Sequence, residues 1–167
     1  ERRMGAHCCY THYVVSMTSP PTRMLTWEKG DAGTGMWPVR AKPGGPWLLM
    51  STVVVFPPFD AARGEPAVSY AGAPLLPIVF ALEGRTYQPR TFRYASFLRA
   101  ERERARAQCA ANPESCELSE LIEWGYAVII GDYAAERARI APDPELRRAL
   151  DRRAPELRRQ LERMLGR

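Results

Sequence analysis

Lysine is almost missing from this chain. Of its 24 basic residues only Lys29 and Lys42 are lysines; the rest are arginine. The formal net charge is +5, and the excess is interleaved with 19 acidic residues rather than gathered into one block. The dense basic footprint of a dedicated nucleic-acid binder is therefore diluted. Arginine forms planar two-pronged hydrogen bonds and stacks on aromatic rings, which suits protein interfaces as well as phosphates.

Long hydrophobic runs are missing too. The longest, residues 46–59 and 74–82, fall short of the ~20 residues needed to cross a bilayer as a helix, and Pro77 interrupts the second. Neither spans a membrane, which leaves peripheral contact with a membrane or its subunits open. Residues 30–35, GDAGTG, lack the Gly-Lys-Ser/Thr ending of a phosphate loop, and Pro38 stands where the phosphate-binding helix would run. They read as a turn, and no cofactor is expected. Histidine is limited to His7 and His12. Adjacent Cys8 and Cys9 lack the two- to four-residue spacing of paired zinc ligands, so residues 1–9 read as an arm rather than a metal site. The chain starts at Glu1 instead of methionine, as a fragment or a product of targeting-peptide cleavage would.

What is present suffices for one domain with a real core: 167 residues, 46% of them hydrophobic. Most of the fifteen prolines and twelve glycines precede residue 90. The expected fold is α+β. An extended, Pro/Gly-rich segment with a few short strands occupies residues 1–90, and a helical region of about three helices occupies residues 91–167. The helices form a helix–turn–helix followed by a C-terminal amphipathic helix, and the whole is a single structural unit.

Residues 118–133, LSELIEWGYAVIIGDY, carry apolar side chains at helical spacing and read as the central helix, opened by Asn112 and Pro113. Gly125 and Gly131 lie inside it, and close approach of a neighbouring backbone would compensate their poor helix propensity. Thr91 reads as the N-cap of a preceding helix whose second half, ERERARAQ, is solvated. Upstream, residues 10–17 and 47–56 favour strands. The run 75–82 is restricted by Pro77 to an edge strand or an extended packed segment. Residues 22–46 read as a long ordered loop pinned by Trp27 and Trp37.

The C-terminal segment repeats PELRRAL at 144–150 as PELRRQL at 155–161, an offset of eleven residues or about three helical turns. Leu146, Leu150, Leu157, Leu161 and Leu165 share one stripe flanked by Arg147, Arg148, Arg158 and Arg159. This is a docking helix whose stripe needs either the central helix or another chain. Cys109 and Cys116 bracket the turn between two helices, and a disulfide there would pin them together in an oxidising compartment. Glu120, Glu123 and Asp132 read as the solvated edge of the helix or as local partners of Arg137 and Arg139, rather than as acid–base catalysts.

Three functions of different class follow. The leading expectation is a non-catalytic accessory subunit that binds other subunits of a larger assembly, specifically a mitochondrial inner-membrane energy-converting complex of the respiratory-chain kind. The second is a small secreted or periplasmic bacterial enzyme or toxin domain working through Cys8 or Cys9 with His12. The third is an RNA-binding component of a ribonucleoprotein, holding phosphate through Arg147, Arg148, Arg158 and Arg159.

Overall fold

The computed structural model describes residues 10–29, 35–55, 73–116 and 118–165. The fold is α+β. Six strands come first, then four α-helices: β1 (Tyr10–Ser16), β2 (Thr22–Lys29), β3 (Trp37–Arg40), β4 (Trp47–Val54), β5 (Leu75–Glu83), β6 (Thr86–Pro89), α1 (Ala95–Ala111), α2 (Glu120–Ile130), α3 (Tyr133–Ile140) and α4 (Pro144–Leu165). Strands β3-β4-β5-β6 form an antiparallel sheet in that order, and β1 and β2 form an antiparallel hairpin. The hairpin lies beside β6, where Arg85 reaches the Thr22 hydroxyl and Trp27 meets Phe80 edge-on at 5.1 Å. The expected long loop is thus mostly strand: β2 and β3 occupy much of 22–46 because Leu25, Trp27 and Val39 have faces to bury.

Strand β5 is central, not an edge, and its residues Leu76–Phe80 are buried on both faces. Pro77 survives there for a geometric reason. Alternate residues of a strand direct their backbone groups to the same side. Val79 directs its N–H to the Thr91 hydroxyl and its carbonyl to the Arg90 N–H, away from β4. Pro77 therefore faces that side too, and β6 has already ended at Pro89, opposite Phe80. No ladder bond is lost. The same contacts correct the reading of Thr91: it is buried, and it satisfies Val79 rather than capping α1. A short 3-10 turn, Thr91–Tyr94, leads into the helix instead.

The central helix is shorter than its apolar pattern. Pro113–Ser115 makes only a 3-10 turn, and α2 starts at Glu120, where Ser119 accepts a hydrogen bond from the Ile122 N–H. It stops at Gly131, whose φ of 90° is the left-handed C-cap conformation that glycine adopts without steric cost. A separate helix α3 follows, giving four helices where three were expected. Gly125 does mark a close approach, but to a side chain: a Cβ there would sit 2.3 Å from Leu76 Cδ2. This contact seats α2 on β5. Trp124, Ala127 and Ile129 are buried in the same core.

Helix α4 runs unbroken through Pro155, which lies on its exposed side. Asp143 opens it by accepting from the Leu146 N–H at 2.8 Å. Leu150, Leu157, Leu161 and Leu165 are fully buried in the core shared with α2 and β5, and Leu146 is packed against that core. A buried leucine contributes about 1.5–3 kcal/mol. Of the two expected coverings, the central helix or another chain, the stripe takes the first, so these leucines are not partner-docking groups.

Candidate interaction surface

Two constellations concentrate functional groups: a network of charges between helices, and a row of side chains at one end of the sheet. The network begins with Arg99, Arg102 and Arg106, which share a face of α1 at helical spacing. Arg102 is 0% exposed and forms a forked pair with Asp132 at 3.1 and 3.0 Å, with Glu136 at 2.5 Å beside it. Arg99 also reaches Asp132, at 3.3 Å. Arg106 holds Glu123 and Glu136, each at 2.7 Å, and pairs with Glu103 one turn back. Arg139 of α3 closes the circuit on Glu123 at 2.9 Å and Glu136 at 2.7 Å.

Burial works against the charge on Arg102, but the hydrogen bonds it donates to Asp132 and the fields of Asp132, Glu136 and Glu103 outweigh it and raise its pKa. Each of Asp132, Glu123 and Glu136 is held by at least two guanidinium groups, and guanidinium does not give up protons at ordinary pH. The cluster can join α1, α2 and α3; it is not arranged to move protons. The expectation that ERERARAQ is solvated fails at Arg102 and Arg106. The signal was legible: arginines at i, i+3 and i+7 facing carboxylates at 132 and 136, themselves four residues apart.

Beside this network, Cys109 and Cys116 form a disulfide with an S–S distance of 2.09 Å and a Cα–Cα distance of 4.6 Å. It ties the last turn of α1 to the residue after the 3-10 turn.

The flanking arginines of α4 divide into two kinds. Arg147 donates to the carbonyls of Ala141 and Pro142, just beyond α3. Arg158 donates to Val128 and Ile129 at the C-terminal end of α2, pairs with Glu162 and lies 4.3 Å from the Phe92 ring centre. Both satisfy helix-end carbonyls, where a cation also meets the negative end of the helix dipole. They are structural, which corrects their assignment as docking groups. Arg148 and Arg159 point outward and remain accessible.

The sheet-end row follows from strand register. Arg40 pairs with Trp47, and Leu82 with Tyr87. The β4–β5 ladder reaches Leu48 opposite Ala81, so one further step sets Trp47 beside Leu82. Directly opposed residues share a face. Arg40, Trp47, Leu82 and Tyr87 thus form one row across four strands. Leu76, Ile78 and Phe80 lie on the same face of β5 and are wholly buried, but the row extends past that cover: Trp47 is 52% exposed and Leu82 45%. The Arg40 guanidinium lies over the Trp47 ring, 4.2 Å from its centre, a cation–π contact. Lys42 is exposed in the adjoining turn. Next along β5, Glu83 takes a forked pair from Arg90, whose hydrogen bonds hold its pKa below the ordinary carboxylate value. Among the described residues, Arg40 and Lys42 put positive charge beside the row.

The outer hairpin offers a second exposed feature. Among the described residues β1 pairs only with β2. Its outward side chains Tyr13 and Val15 are exposed, and residues 10–22 contain no charge. Sheet edges that avoid pairing are usually short, charged or proline-bearing. Strand β3, with four residues and Pro38, fits that description; β1 does not.

Of the early candidates, His7, Cys8 and Cys9 lie outside the described residues, as do residues 30–34. His12 sits on β1 opposite Trp27, half-buried. Gly35 uses its carbonyl to accept from the Ser51 hydroxyl. Among the described residues no group of three or more His, Cys, Asp or Glu is placed to hold a metal ion, and no helix is long and apolar enough to cross a membrane. Compared with known proteins, the chain matches no family model, no curated protein and no solved structure.

Proposed function

We propose that the chain is a non-catalytic accessory subunit that binds other proteins of a larger assembly through the Arg40–Trp47–Leu82 end of its sheet. The observation that carries the reading is the exposed Trp47, overlain by Arg40 and continued by Leu82. Tryptophan, tyrosine and arginine are the residues that dominate binding energy at protein interfaces. A large, rigid indole left in water costs solvation free energy that a partner's apolar surface would recover. The positive groups beside it favour a partner with carboxylates at the rim.

The unprotected edge of β1 supports the same reading, since a strand of another chain can extend the hairpin there. The Cys109–Cys116 bond fits an oxidising compartment. With the arginine-rich composition it is compatible with an assembly at the mitochondrial inner membrane, facing the intermembrane space. That location belongs to the proposal.

Gel filtration of the native source extract tests it. The chain is expected to elute with an assembly far heavier than its own 18.9 kDa. Elution as a monomer would overturn the proposal.

A further inference from the structure

We propose that the solvent face of α4 rests on an anionic phospholipid surface. The eleven-residue repeat places Arg148 and Arg159 in register, and Arg152 and Arg163 likewise. At about 100° per residue all four fall within about 60° of arc, and at about 1.5 Å per residue they span about 22 Å. All four are exposed. The buried leucines occupy the opposite side of the helix, so α4 is held rigidly with this row outward. A straight row confined to a narrow arc can touch one plane with every member at once.

The charges of Arg148, Arg159 and Arg163 on this face are available. Arg159 and Arg163 have no ion-pair partner among the described residues, and Arg148 meets only Glu145, at 3.9 Å with both groups exposed. The carboxylates that border the row are engaged elsewhere: Glu156 by Arg153 and Glu162 by Arg158. The face is thus a net-positive line with neutralised flanks. Guanidinium groups pair with phosphate and carboxylate oxygens, the groups that anionic phospholipid heads present.

The composition of the row separates this occupant from others. Apart from its arginines this face holds Pro155 and Glu145, which is in register with Arg163 and meets Arg148, so a partner helix would find no apolar knob to pack against. It also carries no aromatic, amide or hydroxyl side chain to meet a base or a sugar, which nucleic-acid surfaces combine with their cations. A lipid surface demands neither. With no apolar anchor on this face, attachment is peripheral, reversible and weakened by salt. The surface is separate from the sheet-end row, so either can fail without the other.

The test is vesicle flotation of the full chain. Affinity for phosphatidylcholine vesicles containing about 30% phosphatidylserine should fall roughly fivefold for each arginine removed. Arg159→Gln/Arg163→Gln should therefore bind roughly thirtyfold more weakly. Its thermal melt should be unchanged, because neither side chain has an ion-pair or hydrogen-bond partner among the described residues. Salt at about 0.5 M should release the wild-type chain, and Trp47→Ala should bind as wild type does. Equal binding to pure phosphatidylcholine, or undiminished binding by the double variant, would overturn the proposal. So would vesicle affinity that falls with Trp47→Ala but survives the arginine substitutions. A preference for single-stranded RNA over vesicles, lost in the same double variant, would also overturn it by assigning the row to nucleic acid.

Discussion

Arg102 and Asp132, thirty residues apart, meet through two parallel hydrogen bonds of 3.1 and 3.0 Å, with the arginine wholly buried. This pair fixes the end of α2 against α1 and, through Glu136, fixes α3 as well. Removing one member of a buried pair leaves the other charge without compensation, which costs about 3–5 kcal/mol. Arg102→Ala is expected to lose that much in urea denaturation. Arg102→Lys should recover only part of it, because an ammonium cannot reproduce the fork. The exposed Arg104→Ala should change stability by less than about 1 kcal/mol.

Gly125 gives a packing prediction whose sign turns on one neighbour. Alanine would gain about 1 kcal/mol of helix propensity. Its Cβ, however, would meet Leu76 at 2.3 Å, and that leucine is itself enclosed. Overpacking of this kind costs about 1–3 kcal/mol. Gly125→Ala should therefore be destabilised on balance, by up to about 2 kcal/mol. Thermal denaturation checks it, and Leu76→Val in the same chain should return part of the loss by vacating space.

Alkaline pH should weaken the fold in a defined window. Burial, with a smaller contribution from the charge of Glu101, pushes the Tyr126 phenol from 10.0 up to about 12. The unfolded chain loses this proton near pH 10 while the folded chain keeps it until about 12. The folded state thus binds more protons across that window, and stability falls as pH rises through it, with no effect below. Tyr133 moves the same way, through burial and its bond to Asp151. Phenolate absorbance should show late-titrating tyrosines, one fewer in Tyr126→Phe. Coincident titration of all the tyrosines in the folded chain would contradict this.

The sequence was most readable where one local rule acted alone. Proline and aspartate at 142–145 set the start of α4, and the β-branched run of β4 set a strand. It misled where tertiary contacts chose between local options. Pro77 reads as an edge signal, yet it occupies the central strand because β6 is short. The apolar pattern through residue 133 hides the break at Gly131, since the left-handed turn leaves periodicity on both sides intact. The leucine stripe of α4 was legible as a stripe, but its period says nothing of whether the chain itself or a partner covers it. The sheet-end row was hidden for a related reason: Arg40, Trp47, Leu82 and Tyr87 become neighbours only through strand register.

The most direct test of the subunit account is the elution of a tagged chain from its native source extract, compared with Trp47→Ala/Leu82→Ser. Wild type should travel with a large assembly. The variant, equally stable on its own, should run near its 18.9 kDa mass. A wild-type chain that already runs as a monomer, or a variant that stays with the assembly, would contradict the account.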